Sequence, residues 1–356
     1  MISDHSRNHA FDGAISAAVR RLAARNGRAP RVLDIGSGSG LLALMAARAG
    51  ATVVHSLEMV PALAHVARHI VSANGYGGGG GGGGGGEEEE GVIRITTAKS
   101  TDVQAASLGG AFDLLVCEIV DDMLLGEGVL TSIADARRRL LHPAAAIIPR
   151  AGAIFTLAVE LRPPPVAATE SARPAPAQSN DQMALDDHQI FLCDLSATPE
   201  PLANVKLQHI APGGYRALAP PLRLFAFDWA ACEPADALCA ARSVQHQLRV
   251  TADGILSAML IYFTLDLDGD PAHAISSGPE NPTTHWEQNA RWLPHELRVR
   301  RGEAFTLTAR HDDHHVSTVR LANVKPHQLE GMVGHPHLVG NRVMQDGAVA
   351  LDYATQ

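Results

Sequence analysis

The sequence predicts an α/β domain built on a parallel sheet over residues 1–149, followed by a β-rich domain of sandwich or barrel type over residues 150–356. Three observations carry this. The stretch Val32-Leu33-Asp34-Ile35-Gly36-Ser37-Gly38-Ser39-Gly40 runs straight into the apolar segment Leu41 to Ala47, the pattern of a buried strand, a glycine turn and a helix. Strand-like and helix-like segments then alternate as far as Ile147-Ile148-Pro149, as in a parallel sheet with crossover helices. From Ala151 onward short strand-like runs replace that alternation.

Taking the elements in order, Ile15, Ala18, Val19 and Leu22 recur at helical spacing before Gly27 and Pro30, which predicts a helix over about 12–25. The first strand, the glycine turn and its helix follow. Thr52 to Leu57 reads as a second strand ending at Glu58, and Pro61 opens a helix whose predicted buried face is Leu63, Val66, Ala67 and Ile70. Tyr76, the glycine run Gly77 to Gly86 and Glu87 to Glu90 cannot bury a core, so residues 76–91 are expected to be a disordered surface insertion. Val92 to Thr97 and Phe112 to Cys117 resume strand character, the latter ending at Glu118, and a helix is expected over Thr131 to Leu141. In the second half, strands are expected at Ala153–Leu161, Phe305–Ala309 and Val316–Leu321, with Leu248–Ala252 and Ile255–Leu267 joined as a hairpin across Asp253-Gly254. A Pro-, Ala- and Ser-rich stretch from Pro163, extending to about residue 190, reads as an exposed arm or linker.

Composition narrows the function classes. A 46% hydrophobic, 19% charged chain of 356 residues has material for two packed units. Its net charge of −9 argues against a nucleic-acid scaffold and favours small-molecule or cationic partners. Cys117, Cys193, Cys232 and Cys239 show no CxxC or zinc spacing, in keeping with a reducing compartment. Met1 to Phe11 is polar and no run of 18 apolar residues occurs, so a soluble intracellular protein without a membrane partner is expected.

The glycine turn is the first site of chemistry. Gly36, Gly38 and Gly40 can take positive φ and present no Cβ, so a nucleotide-like cofactor can lie against the backbone at the helix N-terminus. A dinucleotide fingerprint requires GxGxxG; here position 41 is Leu and the pattern is GxGxG, which favours S-adenosylmethionine over NAD. Glu58 follows the second strand, where a carboxylate can accept both ribose hydroxyls, the alternative being a solvated strand-end acid.

The second site is Cys117-Glu118-Ile119-Val120-Asp121-Asp122-Met123-Leu124-Leu125-Gly126-Glu127-Gly128, a loop bracketed by two glutamates beyond a strand's carboxyl end, the ligand-bearing edge of an open α/β sheet. Converging carboxylates repel unless a cation lies between them, and a guanidinium presents a planar fork of donors that two of them can hold. A solvated acidic loop is the alternative. His311, Asp312, Asp313, His314 and His315 lack a second ligand cluster at defined spacing, so no metal is expected, and Arg137 to Arg139 reads as a solvated helix face.

Together, VLDIGSGSG, the Glu118-to-Glu127 loop closing on Gly126-Glu127-Gly128, and Thr284-His285-Trp286 resemble the protein arginine N-methyltransferase family over nearly the whole chain. Met1-Ile2-Ser3-Asp4, Arg7-Asn8, Ile15, Glu127-Gly128 and His311-Asp312-Asp313 are most similar to its type III branch, arginine methyltransferase 7, which makes only monomethylarginine. That branch often carries two tandem modules; this chain has the length of one.

The resemblance implies a Rossmann-like S-adenosylmethionine-binding domain followed by a β-barrel substrate domain with an inserted dimerisation arm. It also implies a head-to-tail homodimer in the cytoplasm and nucleus, acting without direct nucleic-acid binding. The expected substrates are arginines in basic or Gly-Arg-rich proteins, histones and RNA-binding proteins among them, and the cofactor would leave as S-adenosylhomocysteine.

Residue by residue, Asp34, Gly36 and Gly38 would line the cofactor site, Arg7 would reach the methionyl carboxylate, Glu58 the ribose, and Ser100, Thr101 and Asp102 the adenine. Glu118 and Glu127 would hold the substrate guanidinium, His285 would pair with Asp4, and Trp286 would wall the arginine pocket. Two departures stand out. Ile119-Val120-Asp121-Asp122 replaces the family's aromatic residue and Met-Gly, in better agreement with the tight pocket of the monomethylating branch. The chain also begins almost at the Asp4-to-Arg7 motif, without the family's extra N-terminal helix, so closure over the cofactor is expected to be incomplete. The alternatives are a dimethylating enzyme, a methyltransferase for a small molecule or another side chain, and a non-catalytic cofactor-binding partner protein.

Overall fold

A computed structural model describes residues 2–77, 91–161, 202–205 and 214–322, together with Val324, Gln328, 342–343 and 349–350. The core of the glycine-rich insertion and the arm at 163–190 lie outside the described residues.

The first half is a doubly wound α/β domain. Helix α1 (His5–Asn26) precedes β1 (Arg31–Ile35), α2 (Leu41–Arg48), β2 (Val53–Glu58), α3 (Pro61–Ala73), β3 (Ile93–Thr97), β4 (Phe112–Cys117), α4 (Val129–Arg139) and β5 (Leu141–Ile148). The sheet order is β3-β2-β1-β4-β5, and every neighbouring pair is parallel. All six residues of β4 are buried, as expected for a strand covered on both faces. Phe11, Ile15 and Leu22 of α1 join Leu33, Leu57, Leu114 and Leu115 in the core.

Four expectations for this half need correction. Helix α1 starts at His5, because Asp4 caps it: its Oδ1 accepts the Arg7 backbone N–H at 2.9 Å, and polar first turns mask the start in the sequence. The buried face of α3 is Ala64, Ala67 and Val71, while Leu63 and Val66 are 45% and 44% exposed. The chain leaves α4 at Arg139 and Leu141 already opens β5. Of Arg137 to Arg139 only Arg138 is a solvated residue, meeting the exposed Asp236 at 2.8 Å; Arg137 and Arg139 are partly buried and pair with Glu233 and Asp135. The partners of Arg137 and Arg138 come from about a hundred residues downstream, beyond the reach of local reading.

The second half is antiparallel. Its strands are β6 (Ala151–Leu161), β7 (Leu202–Val205), β8 (Tyr215–Ala217), β9 (Leu222–Asp228), β10 (Arg242–Arg249), β11 (Gly254–Asp266), β12 (Ile275–Ser276), β13 (Gln288–Val299), β14 (Ala304–His311) and β15 (Val316–Ala322). One sheet runs β7-β13-β11-β6-β8, with β12 on β11 and β9 on β6; the other is β10-β14-β15. Phe225, Phe263, Leu256, Phe305 and Leu307 from the two sheets share one core.

The hairpin expected across Asp253-Gly254 does not form. Strand β10 pairs with β14 from Arg242↔His311 to Arg249↔Ala304, whereas β11 pairs with β6 and β13. Asp253 accepts from the Arg301 N–H at 2.7 Å and its carbonyl from Arg216 at 2.6 Å, so the turn is tied to other segments and carries the chain between sheets. Strand β13 has no counterpart among the expected strands; it contains Pro294 and a mixture of polar and charged residues.

The halves meet along α1. Gly13 leaves a notch filled by His273 of a short turn after β11; a Cβ there would lie 2.4 Å from His273 Nε2. His273 Nδ1 is anchored 3.1 Å from Asp268 Oδ1.

Candidate active site

Strand β1 bonds to β2 on one side and β4 on the other, so the segments leaving the carboxyl ends of β1 and β4 diverge and open a crevice. A cavity of about 730 Å³ occupies it. Gly36, Gly38, Glu58 and Ser100 line one side, and Glu118, Glu127, His285 and Trp286 line the other.

On the first side, the Gly36 and Ser37 N–H groups both donate to the Leu57 carbonyl, at 2.9 and 3.1 Å, folding the glycine turn back onto β2. Gly36, Gly38 and Gly40 have φ of 82°, 52° and 80°. Both Glu58 oxygens are held by backbone: Oε2 accepts from Gly38 at 2.9 Å and Oε1 from Val60 at 2.8 Å. Asp34 sits behind this wall and accepts from Ser56 Oγ at 2.6 Å. Burial pushes Asp34 up to about 7, with Glu58 adding and Ser56 opposing. The Ser37 Oγ and Asp34 Oδ1 atoms are buried with no protein partner, so polar capacity remains beside a glycine cradle. Those features fit a nucleoside-bearing cofactor with a ribose at Glu58.

On the second side, Arg7 reaches Glu118 Oε2 at 2.8 Å, with both side chains buried. Burial pushes Glu118 up to about 7; the Arg7 charge opposes this and Glu127 reinforces it. Glu127, exposed at the rim, is likewise raised by loss of water and by Asp121 and Asp122. Asp4 joins the halves: besides capping α1, its Oδ2 lies 2.9 Å from His285 Nδ1 and accepts the His285 backbone N–H at 3.1 Å. Burial alone would raise Asp4, but bonds from Arg7 and His285 hold it below the usual carboxylate range. Burial also lowers His285, against the pull of Asp4, favouring a neutral ring that donates from Nδ1. Trp286 donates its indole N–H to the Val120 carbonyl at 3.3 Å and stacks edge-on with Phe263. The Glu287 N–H donates to Asp122 at 2.8 Å.

Of the residues singled out from sequence, Gly36, Gly38, Glu58, Ser100, Glu118, Glu127, His285 and Trp286 thus share one cavity, with Asp4, Arg7 and Asp34 behind its wall. Ser100 lines the cavity while Thr101 and Asp102 do not: Ser100–Asp102 is a single 3₁₀ turn, which spreads consecutive side chains about 120° apart, and Ser100 is its buried member. Sequence reading missed Met59, Val60, Leu63, Lys99 and Ser132 as lining residues. The rule that ligands sit beyond strand carboxyl ends would have pointed to the first three, which directly follow β2. Among the described residues no group of three His, Cys, Asp or Glu is arranged to hold a metal ion. His311 instead accepts from Arg242 Nε at 2.8 Å and lies between Phe225 and Phe227.

An arginine N(omega)-methyltransferase from Streptomyces achromogenes subsp. streptozoticus is 33% identical over 310 residues, covering 86% of this chain and 73% of that protein. The chain belongs to the arginine N-methyltransferase family. A family model for the arginine methyltransferase oligomerization subdomain matches residues 193–322. Protein arginine N-methyltransferase 7 from Caenorhabditis briggsae is 28% identical over 328 residues, and that from Danio rerio 27% over 326, each match covering 88% of this chain. The chain spans about half the length of these, 46% and 44%. Among solved structures, the Trypanosoma brucei PRMT1 enzyme-prozyme heterotetrameric complex with AdoHcy matches with a TM-score of 0.63 at 20% identity over 90% of each chain, so the Rossmann-like and barrel architecture is shared. In this arginine methyltransferase fold the Glu118–Glu127 loop and the Thr284-His285-Trp286 segment face the glycine turn across one cavity.

Proposed function

We propose that the chain is an S-adenosylmethionine-dependent arginine N-methyltransferase that transfers one methyl group to a guanidino nitrogen of arginine in basic or Gly-Arg-rich proteins. The observation that carries this is the placement of Glu118 and Glu127 opposite Gly36, Gly38 and Glu58 in a single cavity. Gly36 and Gly38 would seat the cofactor, Glu58 its ribose and Arg7 its carboxylate. When bound, the cofactor supplies an electrophilic sulfonium methyl group.

The chain's own contribution is geometry and charge. Glu118 and Glu127 hold a planar guanidinium by its paired N–H donors and fix one nitrogen about 3 to 3.5 Å from its target. Their negative charge is worth more as positive charge grows on the guanidinium than before. With Nδ1–H on Asp4, His285 keeps Nε2 free of a proton and able to accept one. The monomethyl-only product is supported by the likeness to the arginine methyltransferase 7 relatives; in this chain Ile119 and Val120 line the cavity beside Trp286, whose indole is pinned to the Val120 carbonyl. Transfer of radiolabelled methyl to a Gly-Arg-rich peptide or histone, followed by amino-acid analysis, tests the reading. Monomethylarginine alone is expected, and appreciable dimethylarginine would overturn the product type.

A second substrate reading follows from the Streptomyces relative, which is named for arginine and not for protein arginine. Free L-arginine as acceptor is therefore a parallel arm of the assay, and no labelled arginine in either arm would overturn the arginine reading in favour of another methyl acceptor or a non-catalytic cofactor-binding protein. A homodimer, acting in the cytoplasm and nucleus, belongs to the same proposal. It is supported by the match to the oligomerization subdomain. Light scattering that returned only 37.6 kDa at micromolar concentration would overturn it.

A further inference from the structure

The two acids that replace the family's usual residues between the glutamates have a structural use. Asp121 Oδ1 accepts the Met123 N–H at 3.2 Å and the Gly126 N–H at 2.9 Å, and the Asp121 carbonyl accepts the Leu124 N–H at 3.0 Å. The loop is thereby closed on itself over residues 121–126. Gly126 completes the closure by having no side chain: a Cβ there would lie 2.2 Å from Asp121 Oδ2 and 2.7 Å from its Cγ. Between them stands Leu124 at φ 78°, fully buried, a conformation that is strained for a non-glycine residue and must be held by its surroundings. The next residue after Gly126 is Glu127, and Gly128 then caps α4. Asp122, which lines the same cavity, fixes the loop to the barrel by accepting the Glu287 N–H at 2.8 Å.

We propose that Asp121 and Gly126 form a two-residue staple that positions Glu127 against Glu118, so that Asp121 is a positioning residue for these two substrate-binding carboxylates and Gly126 its steric partner. The inference rests on the arginine methyltransferase reading for its catalytic consequence. Its structural content stands apart from that reading. What matters at position 121 is one acceptor oxygen at the right place, and Asn supplies that oxygen without the charge.

The test compares Asp121→Ala, Asp121→Asn, Gly126→Ala and the double variant Asp121→Ala with Gly126→Ala in the full chain. The readouts are steady-state kinetics on a Gly-Arg-rich peptide and free L-arginine, and amide hydrogen exchange at Met123 and Gly126. Asp121→Ala is expected to lower kcat/KM for the acceptor by about 100-fold, the scale of loss when a reacting group is misplaced by an ångström, with the cofactor KM little changed. Faster exchange at both amides should accompany it. Asp121→Asn should restore most of the activity and the amide protection. Gly126→Ala should reproduce the defect of Asp121→Ala by displacing the carboxylate, and the double variant should be no worse than either single one, because both break the same contact. Losses that add, an Asn variant as impaired as the Ala variant in both readouts, or an innocuous Gly126→Ala each overturn the staple. If the unaltered chain methylates no arginine, the functional reading fails, while the exchange difference between the Asn and Ala variants still decides whether the staple exists.

Discussion

His285 Nδ1 and Asp4 Oδ2 lie 2.9 Å apart although 281 positions separate them in the chain. The same carboxylate caps α1 through the Arg7 N–H, so one side chain anchors the start of the α/β domain, the Thr-His-Trp segment and, through Arg7, the Glu118 side chain. Asp4→Ala should therefore cost more than a helix cap alone, which is about 1 kcal/mol. Denaturant melts should show at least that loss, and kcat/KM should fall tenfold or more in the range of about 1.4 kcal/mol per decade. Asp4→Asn keeps a cap acceptor and should separate the two, with near-normal stability and reduced activity.

Glu118→Gln and Glu127→Gln should each lower kcat by about 100-fold or more while leaving cofactor affinity, measured by calorimetry, close to that of the unaltered chain. Equal loss of cofactor binding would point to collapse of the wall instead.

Because burial and Glu127 push Glu118 up to about 7 despite Arg7, the free enzyme should lose kcat/KM as pH falls through about 7 and the carboxylate takes up a proton. For stability the sign is opposite. Asp34 and Glu118 have native values near 7, above their unfolded ones of 3.8 and 4.5, so their contributions are fully present below about 4 and are lost as pH rises through about 7. The lowered Asp4 and His285 act the other way, with contributions lost as pH falls through their native values. Asp34→Asn should flatten the decline in melting temperature of the cofactor-free chain between pH 5 and pH 8.

Gly36→Ala places a Cβ 2.5 Å from Ile119 Cγ2 at a φ of 82°. A strain of about 1 to 3 kcal/mol and a marked loss of cofactor affinity are expected, checked by melting and by binding titration. An Ala variant with normal cofactor affinity would show that the turn does not approach the ligand.

Arg139 donates to the Val103 carbonyl at 2.6 Å, to Ser100 at 3.2 Å and to Thr101 at 3.3 Å while paired with Asp135. Arg139→Lys cannot reproduce that fork and should loosen the turn that brings Ser100 to the cavity. The expected result is a higher cofactor KM with kcat nearly unchanged.

What is legible in the sequence follows from how local the cause is. The glycine turn, Glu58 and the Glu118–Glu127 bracket announce themselves because close backbone approach and paired carboxylates each show as particular residue types at short spacing. Apolar spacing places the start of α1 too late because that start depends on one cap, Asp4, whose other partner is His285. The apolar face of α3 escapes periodicity because period alone cannot choose between two stripes, and the larger side chains, Leu63 and Val66, lie on the outer one. The Asp253-Gly254 hairpin fails because strand partners are chosen across the whole domain, here β14 for β10. Asp121 is legible only as a departure from pattern; its bonds to Met123 and Gly126 require coordinates.

Gly13 makes α1 intrinsically weaker, since glycine inside a helix costs about 1 kcal/mol relative to alanine. His273, inserted in its notch, makes up from outside what the helix gives up within. The rods and plates of the nucleotide-type half are thus not self-sufficient: detached from the barrel, α1 would lose both its middle buttress at His273 and its end fastening at His285. Arg7 and Asp4 would drift with it. Cutting the chain at the boundary near residue 150 should therefore not release a minimal cofactor-binding module but dissolve half of the pocket, which makes the two units a single cooperative machine despite their different architectures.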